Sequence, residues 1–395
     1  MSPPRLEVAE VFCRYQEAYL ATHPASFEQR RVLRDLMVCR TAALGGHLRQ
    51  CQACGHEQIA YNSCRNRHCP KCQARKQADW LKAQCANLLE VPYYHIVFTL
   101  PDGLGPLALQ NKRVLYGLLF RAASETLSTI ARDAKHLGAK IGFTAVLHTW
   151  GQTLLHHPHL HCVVPAGGLS ADEQRWIAAR EHFFLPVRVL SRLFRGKYLA
   201  YLRQAYRDGH LVLAGQLKHL AEPRAWRALL EPIGKIDWVV YAKAPFGSAE
   251  QVLKYLARYT HRVAISNRRL VSLNNAQVAF AYKDYRRGQR EHVMRLEAVE
   301  FMRRFLLHVL PKGFVRIRHY GLLSNRSRKE KLVLCRRLLG SVVQPNSDTE
   351  PANSTDAASI KWVCPLCHTG AMIIVARLPR WGASPEPRMN SPNAV

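Results

Sequence analysis

A chain of 395 residues with 48% hydrophobic composition is long enough for two or three domains of ordinary size and can fill their cores, which excludes a disordered polyelectrolyte. Its 57 Lys and Arg against 28 Asp and Glu give a formal net charge of +29, a self-repelling balance that points to a polyanion, nucleic acid, ahead of a merely soluble basic surface. Neither a basic-then-apolar leader nor a run of about 18 or more uncharged apolar residues occurs, so a cytoplasmic, nucleoid-associated protein without a membrane partner is expected, whose twelve cysteines are reduced and available to metal.

In chain order, LEVAEVFCRYQEAYLATHPASFEQRRVLRDLMVCRTAALGG repeats apolar residues at intervals of three and four and predicts two helices broken near Pro24. CQACGHEQIAYNSCRNRHCPKCQARKQ follows, with fourteen residues between the pair Cys51 and Cys54 and the pair Cys69 and Cys72. Each C-x-x-C turn aims two thiolates at one point, and two turns complete the tetrahedral sulfur shell of a structural Zn²⁺, with no position left open for substrate. Gly55 and Pro70 supply the tight backbone. Buried reduced cysteines are the plainer alternative; Cys64 and His68, inside the loop, could replace a ligand or serve a second ion. Arg65, Arg67, Lys71, Arg75 and Lys76 crowd the segment and suit contact with DNA.

Tyr94 to Leu100, aromatic and β-branched between Pro92 and Pro101, predicts a core strand, and a helical stretch runs from about Pro106 to Lys135. KIGFTAVLHTWGQTLLHHPHLHCVVPAGGL predicts two strands joined by a connection near Gly151 to His157 and closed by Pro165 and the Gly167-Gly168 turn. Residues i and i+2 of a strand share a face, so His159 and His161 project side by side while Leu160 faces the core. Two neutral imidazoles so placed can hold a divalent ion, although strand histidines are more often hydrogen-bonded core or surface groups. His156 and His157, ahead of Pro158, are expected in the connection or against DNA.

GSAEQVLKYLARYTHRVAISNRRL reads as helix from about Ser248 and sets Tyr255 and Tyr259 four apart on one face, either as two phenols entering one cleft or as two aromatic residues of a helix interior. Taken together and in order, SCRNRHCPKCQ, HIVFTLP, LHTWGQTLLHHPHLHCVV, YLARYTHRVAISNRRL and FLLHVLPKGFVRIRHYGLLSNRSRKEK resemble the transposases of the insertion-sequence ninety-one (IS91) family. Those are two-tyrosine members of the HUH (His, hydrophobic, His) endonuclease superfamily that move DNA by a rolling-circle route. The resemblance runs from about Cys39 to Leu339. It implies that His159 and His161 are the metal-binding pair and Tyr255 and Tyr259 the nucleophiles. It also implies an α+β fold, with an N-terminal helical and zinc-binding module, an HUH nuclease domain built on a central antiparallel sheet flanked by helices, and a basic C-terminal region.

The chemistry is consistent with those residues. A phenol with an ordinary pKa of about 10 needs a cation that withdraws charge from the scissile phosphate. Two histidines are too few ligands, so a third is expected from Gln152, where relatives in the superfamily place a carboxylate or amide, or from Gln251, one helical turn before Tyr255. Two histidines and an oxygen ligand with open positions favour Mg²⁺ or Mn²⁺. The expected reaction is transesterification of single-stranded DNA, giving a 5′-phosphotyrosine and a free 3′-hydroxyl, with element-end hairpins as the recognised DNA. A phosphate-cradling G-K-S or G-K-T sequence is absent, which assigns strand separation to a host helicase, supercoiling or the replication machinery.

Beyond Tyr259, alternating residues predict arginine-studded hairpins, and nine Lys and Arg stand between Lys312 and Arg337 against the single acid Glu330. Arg262, Arg268, Arg269, Arg316, Arg318, Arg326 and Arg328 are the expected phosphate contacts, with Tyr282, Tyr285, Phe314 and Tyr320 for base stacking. The expected domains are a helical and zinc-binding unit over residues 1–90, the two-tyrosine nuclease with its basic part over 91–340, a linker over 341–363, and a C-x-x-C segment with a disordered tail over 364–395. Cys364 and Cys367 have no partner pair nearby and would need Cys335, His368 or another chain to hold metal. Two rival readings are a relaxase or replication initiator of the same superfamily and a noncatalytic zinc-dependent DNA-binding protein, a decayed transposase.

Overall fold

The computed structural model of the protein describes residues 6–72, 87–180, 185–243, 264–284, 290–340 and 362–381. The N-terminal periodicity gives helices α1 (Val8–Thr22) and α2 (Phe27–Met37), and α2 starts at a capping box between Ser26 and Gln29. Strands β1 (Gly46–Cys51) and β2 (Glu57–Tyr61) follow. The central elements are β3 (Tyr93–Thr99), α3 (Gly105–Gln110), α4 (Lys112–Arg132), β4 (Gly142–Trp150) and β5 (His156–Pro165). Next come β6 (Gly167–Leu169), β7 (Trp176–Ala178), α5 (Val187–Arg207), α6 (Pro223–Lys235) and β8 (Val240–Lys243). The basic half supplies β9 (Leu270–Asn274), β10 (Gln277–Asp284), β11 (Arg290–Glu297), α7 (Ala298–Leu307), β12 (Ile317–Gly321) and α8 (Arg328–Leu338), and the chain closes with β13 (Trp362–Val363) and β14 (Ala371–Leu378). The fold is α+β.

The main sheet is five-stranded and antiparallel throughout, in the order β12-β4-β5-β3-β8. One face carries Ile96, Phe98, Leu147, Leu160, Cys162 and Val164, which pack on Leu115, Leu119 and Phe120 of α4 and Phe194 and Tyr198 of α5. Each of those buried side chains contributes about 1.5–3 kcal/mol of apolar transfer, so alternation alone fixes which face of the sheet turns inward. The single helical stretch expected from Pro106 is two helices. Asn111 leaves helical geometry because its side chain both donates to and accepts from the main chain of Val212, tying the break to the segment after α5.

A second core joins distant parts of the chain. Phe12 of α1 meets Phe305 of α7 edge to face at 5.2 Å, and Val32, Leu36, Phe280, Phe301 and Met302 fill the space around them. α1 and α2 therefore share one interior with the sheet β9-β10-β11, and the expected boundary near residue 90 does not separate the cores. Strands from the first and last parts of the described chain pair as well. β14 pairs with β1, giving a four-stranded sheet in the order β13-β14-β1-β2, so the C-terminal C-x-x-C segment, for which Cys335, His368 or another chain is the expected partner, is built into the N-terminal sheet.

Candidate functional site

On the face of the main sheet opposite the helices, β4 and β5 bring three imidazoles together. The hairpin register sets His148 directly across from His159 and Val146 across from His161. Ring centroids are 4.1 Å apart for His148 and His161, 4.8 Å for His159 and His161, and 5.3 Å for His148 and His159. One ligand atom from each of the three lies within 4.8 Å of the others, a spacing one divalent ion can bridge.

Neighbouring groups prepare the rings. Nδ1 of His159 lies 2.7 Å from the main-chain oxygen of His157 and donates to it, so the lone pair of that ring is on Nε2. Nδ1 of His161 shares a 2.7 Å hydrogen bond with Nε2 of His95, which projects from β3 on the same face. Burial lowers His159 and His95 each to about 4 and pushes His161 well below its ordinary value, so these imidazoles are neutral at pH 7, the state in which they ligate metal.

His148 joins the pair that the sequence singled out, and it is brought there by its place in the hairpin and not by a local motif. From Thr144 to His148 the partners in this hairpin have residue numbers summing to 307, and the register shifts only beyond that, between His148 and Trp150, so the residue opposite His159 is set by the register. Gln152 lies in the connection ahead of the histidine strand, as expected, and its carbonyl oxygen accepts from Arg269 at 2.6 Å. The same connection is gripped at two further carbonyls, Thr153 by Arg304 and Leu154 by His308, and the Leu154 side chain is buried in the second core. His156 and His157 are not in the connection but open β5; Nε2 of His156 is hydrogen-bonded to the Tyr116 hydroxyl of α4 at 2.8 Å. Tyr255, Tyr259, Gln251, Arg262 and Tyr285 lie outside the described residues.

The remaining arginines divide by environment. Arg268 and Arg326 are exposed and Arg328 is half-buried at the start of α8. Arg269 is a staple, donating to the carbonyls of both Ala281 and Gln152, and Arg318 lies 4.0 Å over the Phe120 ring of α4. Burial, with Arg67 nearby, lowers the Arg316 guanidinium to about 9. Tyr320 stacks on Phe143 within the fold, and Phe314 is buried against Tyr116.

The structure does not bring Cys51, Cys54, Cys69 and Cys72 to one point. Cys69 and Cys72 converge with Cys39 and Cys64, whereas Cys51 and Cys54 converge with Cys364 and Cys367. A C-x-x-C turn fixes the geometry of its own two sulfurs and says nothing about which pair completes the shell. In the first cluster Sγ separations are 3.5 Å for Cys39 and Cys72, 3.5 Å for Cys39 and Cys69, and 3.6 Å for Cys64 and Cys72. Hydrogen bonds from Cys39, Cys64 and Cys69 pull the Cys72 thiol far down, while Cys69 is pushed up by the same kind of neighbour. Four sulfurs so close compete for protons, and a divalent cation among them removes the conflict. His68 is not a candidate ligand here: its ring bonds Asn66 and accepts from the Leu310 main-chain N–H.

Comparison with known proteins gives the class. A family model described as "Transposase zinc-binding domain" matches residues 11–100, and one described as "Putative transposase" matches residues 142–331. The chain is 56% identical over 377 residues to "Putative transposase y4qJ" of Sinorhizobium fredii (strain NBRC 101917 / NGR234), covering 93% of this chain and 94% of that protein. It is 32% identical over 299 residues to "Transposase for insertion sequence element IS801" of Pseudomonas savastanoi pv. phaseolicola, covering 74% of this chain and 69% of that one. The protein belongs to the IS91-family transposases, rolling-circle enzymes of the HUH tyrosine endonuclease and strand-transferase class. Its zinc-binding domain and the cysteine cluster within it support a structural Zn²⁺.

Two solved relaxase structures are also similar. TrwC complexed with a 27-mer DNA comprising the recognition hairpin and the cleavage site matches at 16% identity and a TM-score of 0.22, over 44% of this chain and 66% of that one. The metal-bound structure of the conjugative relaxase TrwC with oriT DNA matches at 13% identity and a TM-score of 0.23, over 62% of this chain and 71% of that one. Overlaps of this size add nothing to the assignment. No helix among the described residues is long and apolar enough to cross a membrane.

Proposed function

We propose that the protein cuts and rejoins single-stranded DNA at the histidine face of the main sheet, with His148, His159 and His161 as metal ligands and Tyr255 and Tyr259 as nucleophiles. The observation that carries this reading is the convergence of three imidazoles, those of His148 and His161 buried and that of His159 half-buried, at one point on a strand hairpin within the matched transposase region. Three nitrogen donors leave coordination positions open for phosphate oxygens, and between Mg²⁺ and Mn²⁺ an all-imidazole set favours Mn²⁺. When bound there, the ion withdraws charge from the scissile phosphate.

The chain's own groups do the rest. His95 and the His157 carbonyl orient two of the ligand rings. A tyrosine oxygen attacks phosphorus, the bond to the 3′-oxygen breaks, and the proton lost by the phenol is balanced by the one gained by the departing 3′-oxygen, leaving a 5′-phosphotyrosine and a free 3′-hydroxyl. Phosphodiester energy is conserved in the new ester, so the reverse attack by a 3′-hydroxyl reseals the strand without ATP. A second tyrosine holds a second strand while the first remains attached. Exposed Arg268 and Arg326 and half-buried Arg328 neutralise phosphates, and Zn²⁺ in the cluster of Cys39, Cys64, Cys69 and Cys72 stiffens the base of the N-terminal unit. Element-end hairpins are the DNA recognised, and the host helicase or replication machinery opens the duplex.

The test is incubation with single-stranded oligonucleotides carrying element ends and Mn²⁺. The expected result is a covalent protein–DNA adduct that is absent with EDTA and absent in the Tyr255→Phe, Tyr259→Phe double variant. Tight binding without an adduct on any end sequence identifies a noncatalytic DNA-binding protein instead.

A further inference from the structure

The second cysteine cluster is independent of the DNA chemistry. Its members come from distant parts of the chain: Cys51 ends β1 and Cys54 lies in the β1–β2 turn, and Cys364 and Cys367 lie in the β13–β14 turn. We infer that these four thiolates hold a second zinc ion, which fastens the C-terminal strand to the N-terminal sheet.

Local geometry in the two turns is the same. In each, the N–H of the residue after the second cysteine donates to the carbonyl of the first, Gly55 to Cys51 and His368 to Cys364, both at 3.0 Å. In each, a main-chain N–H between the cysteines donates to the first sulfur, Ala53 to Cys51 and Leu366 to Cys364, both at 3.4 Å. In each, the residue after the second cysteine takes a left-handed conformation, Gly55 at φ 70° and His368 at φ 59°. That conformation is free at glycine and is one that histidine adopts more readily than most other side chains, so the two turns share one backbone shape. The N–H groups aimed at sulfur stabilise thiolate, the form that binds metal.

The turns face each other with sulfurs at ligand spacing. Cys51 and Cys367 are 3.7 Å apart, as are Cys54 and Cys364, and all four sulfurs lie within 4.8 Å. A tetrahedron with Zn–S bonds of about 2.3 Å has edges of about 3.8 Å. The four are not joined as disulfides. Gly370 lies against the cluster; a Cβ there would come within 2.4 Å of Cys51 Sγ, so the backbone approaches as closely as glycine permits. Four sulfurs close the coordination shell, which makes the site structural. Its effect is topological: one ion bridges residues more than 300 positions apart and secures the pairing of β14 with β1.

The experiment counts thiolate-bound ions in the full-length protein reconstituted with Co²⁺, whose sulfur-to-metal charge-transfer absorption reports thiolate sites and ignores an ion held by imidazole nitrogens. Two such ions per chain are expected. The Cys364→Ser, Cys367→Ser variant should lose one, a loss of half the absorption; the Cys51→Ser, Cys54→Ser variant should lose the same one, and the four substitutions combined should lose no more. X-ray absorption of the unmodified zinc protein, which depends on no variant folding, should show a sulfur-dominated first shell. One thiolate-bound ion in the unmodified protein overturns the inference, as does a full complement in the Cys364→Ser, Cys367→Ser variant. These outcomes leave the DNA-cleavage reading untouched, because its ligands are histidines.

Discussion

The histidine face and the cysteine clusters gather metal-ligating side chains by opposite routes. All three imidazoles come from one hairpin, within fourteen residues, and register between neighbouring strands sets their spacing. The cysteines of the terminal cluster are separated by 310 residues or more across the turns, and only the pairing of β14 with β1 brings them together. Three imidazole nitrogens would leave a cation with open positions, while four thiolates would enclose one. The difference teaches that register alone gathers side chains on adjacent strands, whereas thiols from remote segments are gathered only by the pairing of distant strands.

The largest effect should separate a fastening role from packing alone. Cys69→Ser opens the cluster of Cys39, Cys64, Cys69 and Cys72, and loss of the ion should cost on the order of 5 kcal/mol, read as a fall in the urea midpoint with unchanged slope. A variant with wild-type stability would reduce that cluster to four buried thiols.

Replacement of His148 tests the reactive centre. His148→Ala should slow adduct formation by about 10²–10³-fold with Mn²⁺ at any concentration that saturates wild type, whereas Gln152→Ala should change it by less than about threefold. The reverse pattern would restore the glutamine as ligand and make His148 a packing residue.

Acid sharpens the same comparison, since histidines and thiols respond differently. Burial lowers His156 and His308 each to about 3, below the unfolded value of about 6.5. The unfolded chain therefore binds protons first as pH falls; the stability is fully present above about 6.5 and is lost progressively toward 3, on the order of 3 kcal/mol per group by pH 4. His308→Gln should flatten part of that decline in denaturant midpoints measured between pH 7 and 4. An unchanged slope would show that His308 is protonated in the folded protein.

The smallest effect concerns the basic surface. Arg326→Ala should reduce the dependence of single-stranded DNA affinity on salt by about 0.7 in log-log slope, as loss of one phosphate contact requires. Arg269→Ala should leave that slope nearly unchanged and instead loosen the β4–β5 connection whose carbonyl it holds. Equal slopes for the two variants would remove the division of arginines into contacts and staples.

Much of the fold was legible because period and burial coincide. HLHCVV alternates, and its even members, Leu160, Cys162 and Val164, are the ones that enter the helical core. α1 and α2 break where Pro24 forbids continuation. The helix break at Asn111 was not legible, because its cause is a hydrogen-bond partner, Val212, about a hundred residues away. Nor were the packing roles of Arg269 and Arg318, because a charge run looks the same whether its side chains reach solvent or the rings and carbonyls of another element.

What the sequence by itself determined is the inventory of donors and the local shape that presents them: paired thiols in C-x-x-C turns, and two imidazoles side by side on a strand whose other face is apolar. Only the tertiary structure decided how they combine. The approach of His148 to His159 and His161 required the register of one hairpin, and the exchange of cysteine partners required β1 and β14, more than 300 residues apart, to lie side by side. The physical reason is that a turn or a strand fixes directions over a few residues through its own dihedrals, whereas a coordination shell is a condition on distances in space, which chain separation does not encode.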